Sequence, residues 1–139
     1  MIILVTVGSA SCDRALETAA QRSLENEIPL RLVYVADTSF LDQVAREMTA
    51  ERRTTDHLAH IGKLIMKRQA KKAEEITSVV EAEVVRGNAL DVLPGYLDRQ
   101  QAHAVFIGRE CLHALARLHD EDELLDALEA TGIEVDVIE

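Results

Sequence analysis

The sequence is short of the features that tie a chain to a disulfide framework, a membrane or nucleic acid. Only two cysteines, Cys12 and Cys111, occur in 139 residues. A pair this sparse builds no disulfide framework, and both thiols are expected to be reduced in the cytoplasm. No window approaches the about eighteen consecutive apolar residues of a membrane-spanning helix. The opening Met1-Ile2-Ile3-Leu4-Val5 lacks the basic flank and small-residue cleavage site of a secretory signal. Positive charge is scarce as well: fifteen Lys and Arg face twenty-five Asp and Glu, a formal charge of −10. Such a surface repels phosphodiester backbones and anionic lipid, so neither nucleic acid nor membrane is an expected partner. Repeats, linkers and low-complexity segments are missing. One cytoplasmic domain spanning residues 1–139 is expected, long enough to bury a core without metal or disulfide help.

What is present is organised around the first forty or so residues. Met1 to Val7 is an unbroken apolar run, Gly8-Ser9-Ala10-Ser11 is a small-residue turn, and Asp13 to Asn26 carries Ala15, Leu16, Ala19, Ala20 and Leu24 at helical spacing. Leu30 to Ala36 is a second apolar run after Pro29. Strands with so little polar interruption belong to parallel sheets covered on both faces, so the stretch reads as a β-α-β unit. Its turn at the carboxyl end of a central strand is where open α/β sheets receive ligands.

Further strands are expected near residues 82–86, 103–108 and 133–138, with helices between them. The stretch from Phe40 to Ala82 reads as helical, interrupted at Arg52 to Asp56 by either a bend or a Thr or Asp cap, and its later piece is taken through Ala73, Ile76 and Val80. Gly87-Asn88 supplies a turn tolerant of positive φ, followed by a helix from Ala89 to Gln101 with Pro94 in its first turn. Between Arg109 and Thr131 the chain reads as loop plus one helix, with Leu124, Leu125 and Leu128 inward and Gly132 as a left-handed stop. The last strand alternates, Ile133, Val135 and Val137 against Glu134 and Asp136, as an edge strand with one wet face does.

Each chemical motif has a plainer explanation. Ser9 or Cys12 at a helix start suits a nucleophile, but no positioned base accompanies them, and small hydroxyl residues there cap helices. Among five histidines, His57 with His60 and Cys111 with His113 and His119 fall short of the convergent ligands zinc needs, so no metal site is assigned. His103 reads as a satisfied polar residue, and Asp13, Glu17, Asp91 and Asp98 as solvated helix charges. The basic residues Lys63, Lys67, Arg68, Lys71 and Lys72 read as the solvated face of a helix, with a protein partner as the alternative.

Taken in order, Ile3-Leu4-Val5-Thr6-Val7-Gly8-Ser9, Arg14-Ala15-Leu16, Leu32 to Asp37, Val85-Arg86-Gly87-Asn88-Ala89 and Ala102 to Gly108 resemble the universal stress protein family over essentially the whole chain. The resemblance implies an α/β/α sandwich of the adenine-nucleotide alpha-hydrolase, Rossmann-like type, with a five-stranded, mainly parallel sheet of order 3-2-1-4-5. It also implies a homodimer paired along the strand bearing Ile133, Val135 and Val137. In nucleotide-binding members, ATP lies across the ends of the first and fourth strands, and a Gly-x2-Gly-x9-Gly-Ser/Thr segment wraps the phosphates. Of that segment only Gly108 is kept; Cys111 replaces the second glycine, and Glu121-Asp122 replaces the glycine and hydroxyl. The loop Asp120 to Glu123 would repel a polyphosphate. The expectation is a non-enzymatic stress-response or regulatory protein without a bound cofactor. The alternative is an ATP- or AMP-binding member of weak or no hydrolytic activity, its nucleotide framed by Gly8, Ser9, Val35, Gly87 and Gly108.

Overall fold

The computed structural model describes residues 1–6, 12–36, 51–116 and 120–139, with the backbone alone over 51–59. Among the described residues five strands form one sheet: β1 Ile2–Thr6, β2 Leu30–Ala36, β3 Val80–Arg86, β4 Ala104–Gly108 and β5 Glu134–Ile138. Every pairing is parallel and the order is β3-β2-β1-β4-β5, as expected. The helices among the described residues are α1 Cys12–Asn26, α2 Glu51–Glu74, α3 Ala89–Arg99, α4 Arg109–Leu115 and α5 Glu121–Glu129.

Alternation along the central strands divides the core in two. Ile3, Val5, Val33, Val35, Val105 and Ile107 point to the side covered by α3, α4 and α5 through Leu93, Leu97, Leu112, Leu124 and Leu128. Ile2, Leu4, Leu30, Leu32 and Phe106 point to the other, covered by Leu16, Ala19 and Ala20 of α1 and Met66 and Ala73 of α2. Because β1 and β4 are buried on both faces, their sequences carry no polar alternation. Close approach of α2 to the sheet needs Gly62, where a Cβ would lie 2.5 Å from the Tyr34 ring.

Several boundaries differ from the expectation for identifiable reasons. α2 runs unbroken through Arg52 to Asp56, so the cap-like Thr54-Thr55-Asp56 sits inside a helix. It then stops at Glu74, before Ile76 and Val80, where the amides of Ile76 and Thr77 both turn back to the carbonyl of Ala73. In α1 the inward position after Ala20 is Ser23, not Leu24, which is 51% exposed. The Ser23 hydroxyl bonds the Ile28 carbonyl and lies 3.1 Å from the Thr77 hydroxyl, satisfying its polarity inside. Pro94 stands in the second turn of α3, leaving the Leu90 carbonyl without its i+4 amide partner. The helix starts on Asn88, whose side chain accepts from the Leu90 amide at 2.9 Å, directly after Gly87 at φ +126°. Gly132 also adopts the expected positive φ, +81°.

Candidate functional site

The strand order reverses direction at β1, since β2 lies on one side of it and β4 on the other. The crevice at their carboxyl ends is therefore the topological switch point of the sheet. Thr6 closes β1, Ala36 closes β2, Gly87 succeeds β3 and Gly108 closes β4. Gly8 and Ser9 lie outside the described residues. Val35 is buried in the core beneath the rim, and the Gly87 amide donates to the neighbouring Ala36 carbonyl at 3.1 Å. Val35 and Gly87 thus share one side of the crevice, while Gly108 stands on the other, beyond β1.

The segment after Gly108 decides the chemistry. Gly108 is the N-cap of α4, so the first part of the stretch expected as a loop is helical over Arg109–Leu115. Cys111 is fully buried in the first turn of α4, and its thiol donates to the Val5 carbonyl at 3.6 Å, fastening the helix to β1. The first amides of α4 have no intrahelical partner, as at any helix start, but a buried Cys111 side chain stands where a wrapping glycine loop leaves the backbone bare to phosphate.

The acidic stretch is helical too. Asp120 caps α5 by accepting from the Asp122 amide at 3.1 Å, and Glu121, Asp122 and Glu123 occupy the first turn, where the helix dipole favours negative charge. Glu121 turns toward Arg109 at 3.9 Å and His113 at 2.7 Å. Arg109 also donates from Nε and Nη2 to Glu139, at 3.3 and 3.0 Å, while Arg14 of α1 donates to the Glu139 carbonyl at 3.1 Å. The hydrogen bond to Glu139 is the main reason the Arg109 guanidinium is held charged above its ordinary range. Arg109, directly after Gly108, is thus already paired with anionic side chains.

The remaining candidates have structural occupations. His103 bonds the Met1 amino group, whose pKa burial lowers, and the His103 amide donates to the Met1 carbonyl at 2.8 Å. Asp13, expected to be a solvated helix charge, is 43% exposed and pairs across the surface with Lys72 of α2 at 3.2 Å. His60 is exposed, the His57 side chain and His119 lie outside the described residues, and among the described residues no three His, Cys, Asp or Glu converge to hold a metal.

Sequence alone does not disclose a second cluster, at the opposite end of the sheet. Arg31 of β2 stands in register with Glu81 of β3 and donates to it at 2.7 and 3.1 Å. The guanidinium also reaches the Tyr96 hydroxyl at 3.2 Å and Gln100 at 2.6 Å, while the Tyr96 hydroxyl donates to Glu83 at 2.6 Å. Burial, reinforced by the Glu83 bond, pushes the Tyr96 pKa up to about 12. The one signal available is a lone arginine inside an apolar strand.

An open parallel sheet with helices on both faces defines an α/β sandwich with a switch point at β1. Comparisons with other proteins narrow that class. The sequence pattern of the universal stress protein family matches residues 1–123, and the chain belongs to that family. No curated protein matches. Universal stress protein UspA from Lactobacillus plantarum superposes with a TM-score of 0.77 at 17% identity, covering 100% of this chain and 97% of that one. The universal stress protein from Archaeoglobus fulgidus in complex with dAMP gives 0.72 at 17% identity, covering 99% and 96%. A universal stress protein in complex with cAMP gives 0.66 at 17% identity, covering 99% and 94%. At such identities these structures share the fold.

Proposed function

We infer that the protein is a non-catalytic, cytoplasmic regulatory member of the universal stress family that does not hold ATP. The segment after Gly108 carries this reading: Cys111 is held to Val5, and Glu121 and Glu139 hold Arg109. A triphosphate placed there meets carboxylates and side-chain bulk. Each such repulsion is on the order of 1 kcal/mol in water and larger away from it.

A second reading keeps a nucleotide with a short phosphate chain. It is supported by the cAMP and dAMP complexes of two structural neighbours and by Gly87 and Gly108 at the rim above the buried Val35, with Gly8 and Ser9 as the remaining frame. Calorimetric titration with ATP and AMP separates the two readings. Silence for both supports the first, micromolar heat for AMP alone supports the second, and micromolar ATP binding removes the first.

The protein is proposed to act as a homodimer along β5. That strand pairs only with β4 and leaves its outer edge unpaired among the described residues. Ile133, Val135 and Val137 pack only partly against their own core. Arg22 lies 3.5 Å from Glu134 and 3.9 Å from Asp136, offsetting the like charges that such an edge brings together. A concentration-independent monomer by light scattering would remove the dimer.

A further inference from the structure

Charge is segregated across this molecule. Although the chain carries −10, Lys63, Lys67, Arg68 and Lys71 are all exposed on α2, and among the described residues none of them forms an ion pair. Lys63, Lys67 and Lys71 recur every fourth residue, which stacks them along one side of the helix in steps of about 6 Å. Like charges at that spacing repel, so the stripe does not serve helix stability. Beside it Leu64 is 57% exposed. The outer side of α5 has the opposite character. Asp122, Glu123, Asp126 and Glu129 are exposed and unpaired among the described residues, and the helix contains no basic residue.

These two stripes cannot meet within one chain. α2 covers the Ile2 and Leu4 face of the sheet over β2 and β3, whereas α5 covers the Ile3 and Val5 face beside β5. Nor does a single two-fold interface satisfy both, because they face opposite ways.

We propose that the basic side of α2 docks on the acidic side of α5 of a second copy of this chain, giving a reversible head-to-tail association. With the helices antiparallel, Lys63, Lys67 and Lys71 face Glu129, Asp126 and Asp122 in turn. Leu64 then comes beside the exposed, small Ala130. A heterologous contact leaves one basic and one acidic surface free at the ends, so it extends or closes into a ring. The association uses neither the crevice nor β5, and stands whether or not a nucleotide binds.

Salt sets the window. At low ionic strength the net charges repel as whole bodies, at about 0.15 M a screening length of about 8 Å leaves the facing stripes dominant, and at about 1 M both fade. The test is sedimentation of the full chain over a concentration series. The weight-average mass is expected to rise with concentration at about 0.15 M salt and to stay flat at about 1 M. The double variants Lys67→Glu with Lys71→Glu, and Asp126→Lys with Glu129→Lys, alter exposed positions and each loses the rise; mixing the two restores it. Circular dichroism checks that both remain folded. A mass that persists in high salt in every variant belongs to the β5 dimer and sets the baseline. A wild-type mass flat at about 0.15 M, or a mixture that stays apart while wild type associates, overturns the proposal. So does capture of an acidic peptide by Lys67 and Lys71 in a chain that never self-associates.

Discussion

Two arginine clusters sit at opposite ends of the same sheet, and burial makes them different objects. Arg31 is only 17% exposed and is held by groups from β3 and α3, with Tyr96 in turn bound to Glu83. Arg109 is 45% exposed, and its closest partner Glu139 is 74% exposed. Where water is excluded, removing one partner strands the others without hydrogen bonds; where water is present, it replaces them. The first cluster therefore holds β2, β3 and α3 together, and the second occupies a crevice at little structural cost.

The largest effect that sharpens this contrast is expected from Arg31→Ala, which takes a charged donor from Gln100 and the Tyr96 hydroxyl while water reaches the half-exposed Glu81 and Glu83, and should destabilise the fold by about 2 kcal/mol in urea unfolding. A cost indistinguishable from zero would make the clusters equivalent. Tyr96→Phe, which removes one hydroxyl with a buried donor role, should cost about 1–2 kcal/mol. The same hydroxyl predicts a pH effect. Its pKa of about 12 exceeds the ordinary 10.0, so the folded state retains a proton that the unfolded chain loses first. That contribution is intact below pH 10.0 and disappears as pH rises toward about 12, with Tyr34, also raised by burial, acting in the same direction. In Tyr96→Phe the alkaline fall should be shallower. Smallest of all, Arg109→Ala should leave the melting temperature at the wild-type value, because its partners are already hydrated. A clear loss of stability would show that the crevice cluster supports the fold.

How much of this is legible in the sequence depends on the range of the forces involved. Burial on both faces writes β1 as a continuous apolar run and β2 as one interrupted only by Arg31, and the positive-φ turns at Gly87 and Gly132 are visible because few other residues adopt that backbone. The strand order comes from the family resemblance. The Arg31 cluster is invisible because Glu81, Tyr96 and Gln100 lie 50, 65 and 69 residues away in sequence, and only the sheet register brings them together. Local signals also mislead where tertiary packing prevails. Thr54-Thr55-Asp56 resembles a cap yet lies within α2, and Pro94 is tolerated in the second turn of α3 while Leu93 and Leu97 hold that helix on the core. The acidic Asp120 to Glu123 stands out for its repulsion of phosphate, while its local cause, a capped helix start, emerges only from the structure.

The claim on which the functional reading depends is that this crevice does not retain ATP. Its most direct test is to purify the full chain without added nucleotide, denature it, and quantify any adenine nucleotide released by chromatography and mass spectrometry. The account predicts no ATP beyond the trace carried by a control protein; ATP recovered in proportion to the protein would contradict it.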